Sequence, residues 1–263
     1  MRRGTKIVWI LSIVVGLTLV TAFATFPAGL DRLALRQVVR ACVADFKLTG
    51  APFPCLNVDL SAGEERGHIV LRPPLRHDLI LAPTRRIVGI EDPFLQSPEA
   101  PNYFDAAWGA RSFLEGADGQ TPEHDAVALV VNSAVVRDQD QLHIHVGCLL
   151  PSARRALAVA TPTVPIGEWV PIGAVVPHQM FWGTRIQGAD LSGVEPFRLA
   201  AEALADKVRE RRVLTIMVAG VRVEGDDEFL ILASYAGAPG AWRPVHAEDL
   251  LGPNCPARTR LAG

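Results

Sequence analysis

The chain has 263 residues, 49% of them hydrophobic and 21% charged, which suits a packed globular body. Its net charge of -2, with no basic stripe, excludes a nucleic-acid binder on electrostatic grounds. Twenty prolines and 22 glycines are scattered along it, which predicts many turns and short strands.

The first element is a run of 20 uncharged residues, 7–26. As a helix it would span about 30 Å, roughly the hydrocarbon thickness of a bilayer. Arg2, Arg3 and Lys6 precede it and assign the N-terminus to the cytoplasm. A cleaved signal peptide is the competing reading, since Ala22-Phe23-Ala24 resembles a small-residue cleavage site. The apolar run is longer than a usual signal core, so a retained transmembrane anchor is expected over residues 1–28. Residues 29–263 then form an exported domain, long enough for one large core or two small ones. Export permits disulfides, and four cysteines allow three pairings. Cys42 and Cys55 flank a short loop with Gly50, Pro52 and Pro54; the expected pairs are Cys42 with Cys55 and Cys148 with Cys255.

Apolar spacing predicts an amphipathic helix over 30–48. Strands follow at 56–60, 68–71 and 79–82, the last ended by Pro83. Residues 90–102 read as a Pro-rich loop, and 103–114 as a helix with Phe104, Ala107, Trp108 and Phe113 on one stripe. A continuous apolar run at 126–131 reads as a buried strand, joined as in a hairpin to a further strand at 141–148. Beyond it come a short helix at 152–160, a Pro-rich connection at 162–177, a strand at 179–186 and a helix at 195–211. Two strands, 213–223 and 228–234, flank a turn at Gly225. The order suggests an antiparallel α+β domain.

The strand at 141–148 carries the chemistry. Its alternation puts Gln141, His143, His145 and Gly147 on one face, and Leu142, Ile144, Val146 and Cys148 on the other. Two imidazoles stand side by side on a rigid element, with open space expected beside Gly147. Such a pair suits nucleophilic catalysis or metal ligation. Cys148 faces away and is not expected to be the nucleophile.

The core Gln141-Leu142-His143-Ile144-His145 resembles the histidine-triad superfamily. Leu81-Ala82-Pro83-Thr84, Arg86-Ile87, Gly89-Ile90-Glu91, Pro101-Asn102-Tyr103-Phe104, Ala107-Trp108, Ala110-Arg111, Asn132-Ser133, Gln139 and Cys148 extend that likeness. Together they resemble the CDP-diacylglycerol pyrophosphatases, a membrane-anchored branch, over most of the exported chain. The resemblance implies a histidine-triad-like antiparallel sheet with flanking helices after one N-terminal transmembrane helix. It implies hydrolysis of CDP-diacylglycerol to CMP and phosphatidate through a cytidylyl intermediate on His145, with no cofactor and no metal. It further implies a single-pass protein of a bacterial-type inner membrane, with that membrane and the liponucleotide as partners, and a homodimer among the possible assemblies. Gly147 stands where the triad has its third histidine. Val136 stands where the branch has a glycine, so no role passes to Arg137.

By the same resemblance His143 lines the phosphate site and Asn132 contacts phosphate or ribose. Gln141 and Gln139 could donate to phosphate oxygens, Arg86 and Arg111 could offset diphosphate charge, and Asn102 and Tyr103 could shape the nucleotide pocket. Each has a plainer reading: a backbone-satisfied core histidine, a turn-forming asparagine, solvated glutamines and arginines, a helix cap and a core aromatic. His68, His77, His124, His178 and His246 carry no motif and read as surface residues, and Trp108 and Trp182 as core. Two other classes compete. A metal hydrolase would use His143 and His145 with a third ligand such as His178. A non-catalytic exported domain would bind a lipid or partner and release no CMP.

Overall fold

A computed structural model describes residues 32–74, 76–176, 179–239 and 246–257. Four helices are present among them: α1 (Ala34–Thr49), α2 (Tyr103–Ala110), α3 (Pro151–Ala160) and α4 (Pro196–Ala203). The strands are β1 (Asn57–Asp59), β2 (His68–Leu71), β3 (Leu79–Pro83), β4 (Val127–Val131), β5 (Ile144–Cys148), β6 (Val170–Val176), β7 (Gln179–Gln187), β8 (Leu214–Val223) and β9 (Asp226–Tyr235). They make one nine-stranded sheet in the order β1-β2-β3-β5-β4-β8-β9-β7-β6, antiparallel at every pairing.

This architecture overturns the expected α+β, histidine-triad-like fold. The body is a mostly antiparallel sheet with few helices, only one longer than ten residues. No helix among the described residues is long and apolar enough to cross a membrane; the run at 7–26 lies outside them. The helical patterns extend further than the helices. The stripe read over 195–211 stops at Ala203; Leu204 stays buried and Val208 packs partly buried against the same cluster after a turn, with the Val208 N–H donating to Leu204 at 2.9 Å. The stretch 162–177, read as a connection, contains β6. Pro171 is tolerated there because β6 is an edge strand, whose ladder is hydrogen-bonded on one side only.

Three apolar clusters hold the sheet. Leu81, Leu129, Ile144, Val146 and Ile216 pack on one face beneath Phe104 and Trp108 of α2 and Phe197 of α4. On the other face, Val130, Met217 and Leu232 pack beneath Ala153 and Leu157 of α3. The same face further along, at Ile69, Ile80 and Ala82, is covered by Leu35, Val39, Cys42 and Val43 of α1. Those four recur at helical spacing, so α1 presents one apolar stripe. The helix ends at Gly50, whose φ of 78° suits a residue without a side chain and whose N–H caps Phe46.

The structure joins Cys42 to Cys55 and Cys148 to Cys255, with Cα separations of 5.7 and 5.1 Å. The second bond fixes a C-terminal segment against the end of β5. The Leu150 N–H donates to Leu250 at 2.8 Å and the Gly252 N–H to Cys148 at 2.7 Å.

Candidate active site

His145 lies directly opposite Ile80 on β3 and Val130 on β4. Directly opposed residues of antiparallel strands share a face. Ile80 belongs to the cluster under α1 and Val130 to that under α3. The histidine therefore stands at the seam between two packed regions, on a strand hydrogen-bonded along both edges. His143, just before β5, keeps to the same side, its ring centroid 5.1 Å from that of His145.

Each imidazole is oriented through Nδ1. His145 Nδ1 is 2.7 Å from Asp78 Oδ2, and His143 Nδ1 is 2.7 Å from the Gln141 carbonyl oxygen. An ionised carboxylate and a carbonyl can only accept, so both Nδ1 atoms carry the proton. In the neutral ring, Nε2 then holds the lone pair. Neither Nε2 has a hydrogen bond among the described residues. Burial, and next the neighbouring His145, push His143 down to about 4, so it is neutral at physiological pH.

Asp78 is buried and would be raised by desolvation, but hydrogen bonds from His145 and Arg76 outweigh this and bring it down to about 2. Arg76 Nε donates to Asp78 Oδ1 at 2.8 Å, which leaves Oδ2 for His145. The carboxylate is thus a fixed negative charge behind the imidazole. It lies immediately before β3, and the pairing of Ile80 with His145 carries it to the histidine.

The C-terminal segment supplies the remaining wall. Asn132 Nδ2 donates to Glu248 Oε2, and Asn132 Oδ1 accepts from the Ala247 N–H at 3.2 Å. Desolvation alone would raise Glu248; the Asn132 amide and His145, when that ring is protonated, lower it below the usual carboxylate range. Arg76, His77, Asp78, Glu248 and Leu251 line an open cavity of about 250 Å³. The space expected beside Gly147 is occupied. A Cβ built there would lie 3.1 Å from Leu251 Cδ1 and 3.3 Å from Asp78 Cβ, so the returning chain fills the position where a triad would carry its third histidine.

The structure brings His143, His145 and Asn132 together. It engages the other candidates elsewhere. Gln141 is wholly buried, and its amide donates to the Pro83 and Arg85 carbonyls at 2.9 and 3.0 Å. Gln139 accepts from the Leu35 N–H at the start of α1. Asn102 caps α2 and donates to Leu191 and Val194. Tyr103 is buried in the core, and Arg111 stacks on Trp108. Arg86 is exposed, beyond the end of β3 opposite Asp78. Arg137 is buried against Glu91 at 2.6 and 2.7 Å. His124, read as a surface residue, is buried among Trp108 and Phe229, with Nε2 2.7 Å from the Glu228 carbonyl oxygen. No three His, Cys, Asp or Glu side chains converge to hold a metal ion among the described residues, and His178 lies outside them.

Asp78, Arg76 and Glu248 were invisible to motif reading. The only signal for Asp78 is its place just before an apolar strand that needs antiparallel partners; Glu248 carries none.

The family model described as CDP-diacylglycerol pyrophosphatase matches residues 30–259. That span takes in the whole described body, from α1 to the C-terminal segment that walls His145, and the chain therefore belongs to the CDP-diacylglycerol pyrophosphatase family and is a hydrolase acting on the diphosphate bond.

Proposed function

We propose that the protein hydrolyses CDP-diacylglycerol to CMP and phosphatidate by covalent catalysis at His145, outside the cytoplasm. The observation that carries the mechanism is the 2.7 Å contact between Asp78 Oδ2 and His145 Nδ1, which holds the nucleophilic tautomer. Nε2 attacks the CMP phosphorus. A phosphorus–nitrogen bond forms, the bridging P–O bond breaks, and its electron pair leaves with phosphatidate. The imidazole becomes cationic against Asp78, which stabilises that charge. Water then attacks phosphorus, Glu248 takes its proton, and the P–N electron pair returns to Nε2 as CMP departs. The ionised state of Glu248 and the cavity it shares with Asp78 support this role.

Phosphatidate is a phosphate monoester with a second pKa of about 6, so it leaves without full protonation. That chemistry accommodates Leu251 where a third histidine would stand. The two disulfides support an oxidising, extracytoplasmic setting.

Hydrolysis in heavy-oxygen water tests the direction of attack. CMP should carry the label and phosphatidate should not. Alkaline quenching of a pre-steady-state mixture should preserve a phosphoramidate on His145. Label in phosphatidate, or full turnover with no trappable adduct, would overturn the mechanism. Side-by-side assays of UDP- and ADP-linked analogues define the headgroup preference.

A further inference from the structure

We propose that the loop closed by the Cys42–Cys55 disulfide is a docking tip for a phospholipid bilayer. This rests on the reading of CDP-diacylglycerol as substrate, because a diacylated headgroup is presented at a lipid surface. Leu48, at the end of α1, and Phe53 are 85% and 76% exposed within the segment the disulfide closes, and Leu56, just beyond it, is 39% exposed. An apolar cluster of this kind on a folded surface calls for a partner.

Register places the tip beside the site. Leu56 precedes the pair Asn57–Val70; the next residue of β2, Leu71, faces Ile80, and Ile80 faces His145. Leu56, where the tip joins β1, therefore lies at the end of the sheet where Asp78 meets its cavity. Three strand spacings, about 15 Å, separate β1 from β5. The same end carries the exposed Arg72, Arg76 and His77 and the part-exposed Phe113, with Arg72 Nη2 donating to the Phe113 carbonyl at 3.0 Å. Charge at this end is mixed, since Arg76 is paired with Asp78 and Glu115 and Asp249 are exposed there, so the apolar side chains supply the attraction to the acyl region of a bilayer. A lipid whose chains stay in that bilayer can then offer its diphosphate to the cavity at Asp78.

The test uses the full chain carrying Leu48→Ser and Phe53→Ser, both remote from the catalytic groups. Turnover is measured on CDP-diacylglycerol in phospholipid vesicles and on a short-chain, monomeric analogue. The variant should lose about tenfold or more in kcat/KM on vesicles, the scale set by removing two buried apolar side chains from a lipid contact, and little on the monomeric analogue. Equal rates on vesicles would overturn the proposal. A separate Phe53→Trp chain, mixed with vesicles of brominated acyl chains, should show quenching beyond that of the unsubstituted chain. No added quenching would also overturn it and point to a protein partner. Absence of hydrolysis of the monomeric analogue by the unsubstituted chain would instead count against the substrate reading, and the quenching measurement stands apart from that result.

Discussion

In the proposed mechanism, the pair Asp78–His145 divides the labour of one nucleophile between a reacting atom and a fixed charge behind it. His145→Ala should abolish hydrolysis with the fold retained, since no other side chain has the same reach. Asp78→Asn should lower kcat on the order of 10²–10³-fold with a smaller change in KM, because the amide neither enforces the tautomer nor stabilises the imidazolium. Similar modest losses at both positions would count against the covalent role. Glu248→Gln should slow release of CMP more than release of phosphatidate, so a stoichiometric phosphatidate burst should follow mixing. His143 gives a pH signature. Its folded value is about 4 and its ordinary value 6.5, so the unfolded chain binds the proton first. Stability contributed by the neutral ring is complete above about 6.5, falls as pH drops toward about 4, and levels off below. Asp78, held near 2 against an ordinary 3.8, adds a second loss only at more acid pH. Denaturation midpoints measured between pH 7 and 4 should slope for the wild type and slope less in His143→Gln, the remainder coming from His68 and His124, which burial also holds below the usual imidazole value. The histidines were legible because strand alternation puts both on one face. Their partners were not, because Asp78 is 67 residues away along the chain and reaches Nδ1 only through strand pairing.

At the scale of elements, β5 and the C-terminal segment form one working unit. Cys148 and Cys255 close a separation of 107 residues, which the chain-entropy model values at about 4–5 kcal/mol. Cys148→Ser should lower the melting temperature strongly. It should affect chemistry less than stability, through Glu248 and Leu251 rather than through His145, which faces away from the sulfur. Thermal denaturation beside kcat separates the two effects. The same packing sets the outcome of restoring a third histidine. Gly147→His drives an imidazole into Leu251 and Asp78, an overpacking expected to destabilise by about 1–3 kcal/mol and to reduce activity. A gain in rate would show that the leaving group needs an acid. Most strands were legible from period-two patterns or apolar runs, and β8 and β9 from the turn between them. The exception was β6, where Pro171 reads as a breaker unless the strand is known to lie at an edge.

Across the whole molecule, one continuous antiparallel sheet with few helices replaces the α+β, histidine-triad-like domain that the sequence suggested. Apolar spacing reports which residues meet the core, and Leu204 and, in part, Val208 reach it through a turn as well as they would in a helix. Counting such spacing as helix overstates the helical share. The disulfides offer a whole-chain test. Non-reducing peptide mapping of exported protein should return Cys42 with Cys55 and Cys148 with Cys255, and four free thiols would refute the extracytoplasmic setting. The segment around Glu248 has a further consequence in time. It is synthesised after all nine strands, and in an exported chain it crosses the membrane after them. A polypeptide still threading through a translocon can already have His145 in its sheet and yet lack Glu248, Leu251 and the bond to Cys255. In the proposed extracytoplasmic setting, hydrolysis then reaches its full rate only when this segment has docked against β5, and the first burst of CMP dates the completion of the chain that made it.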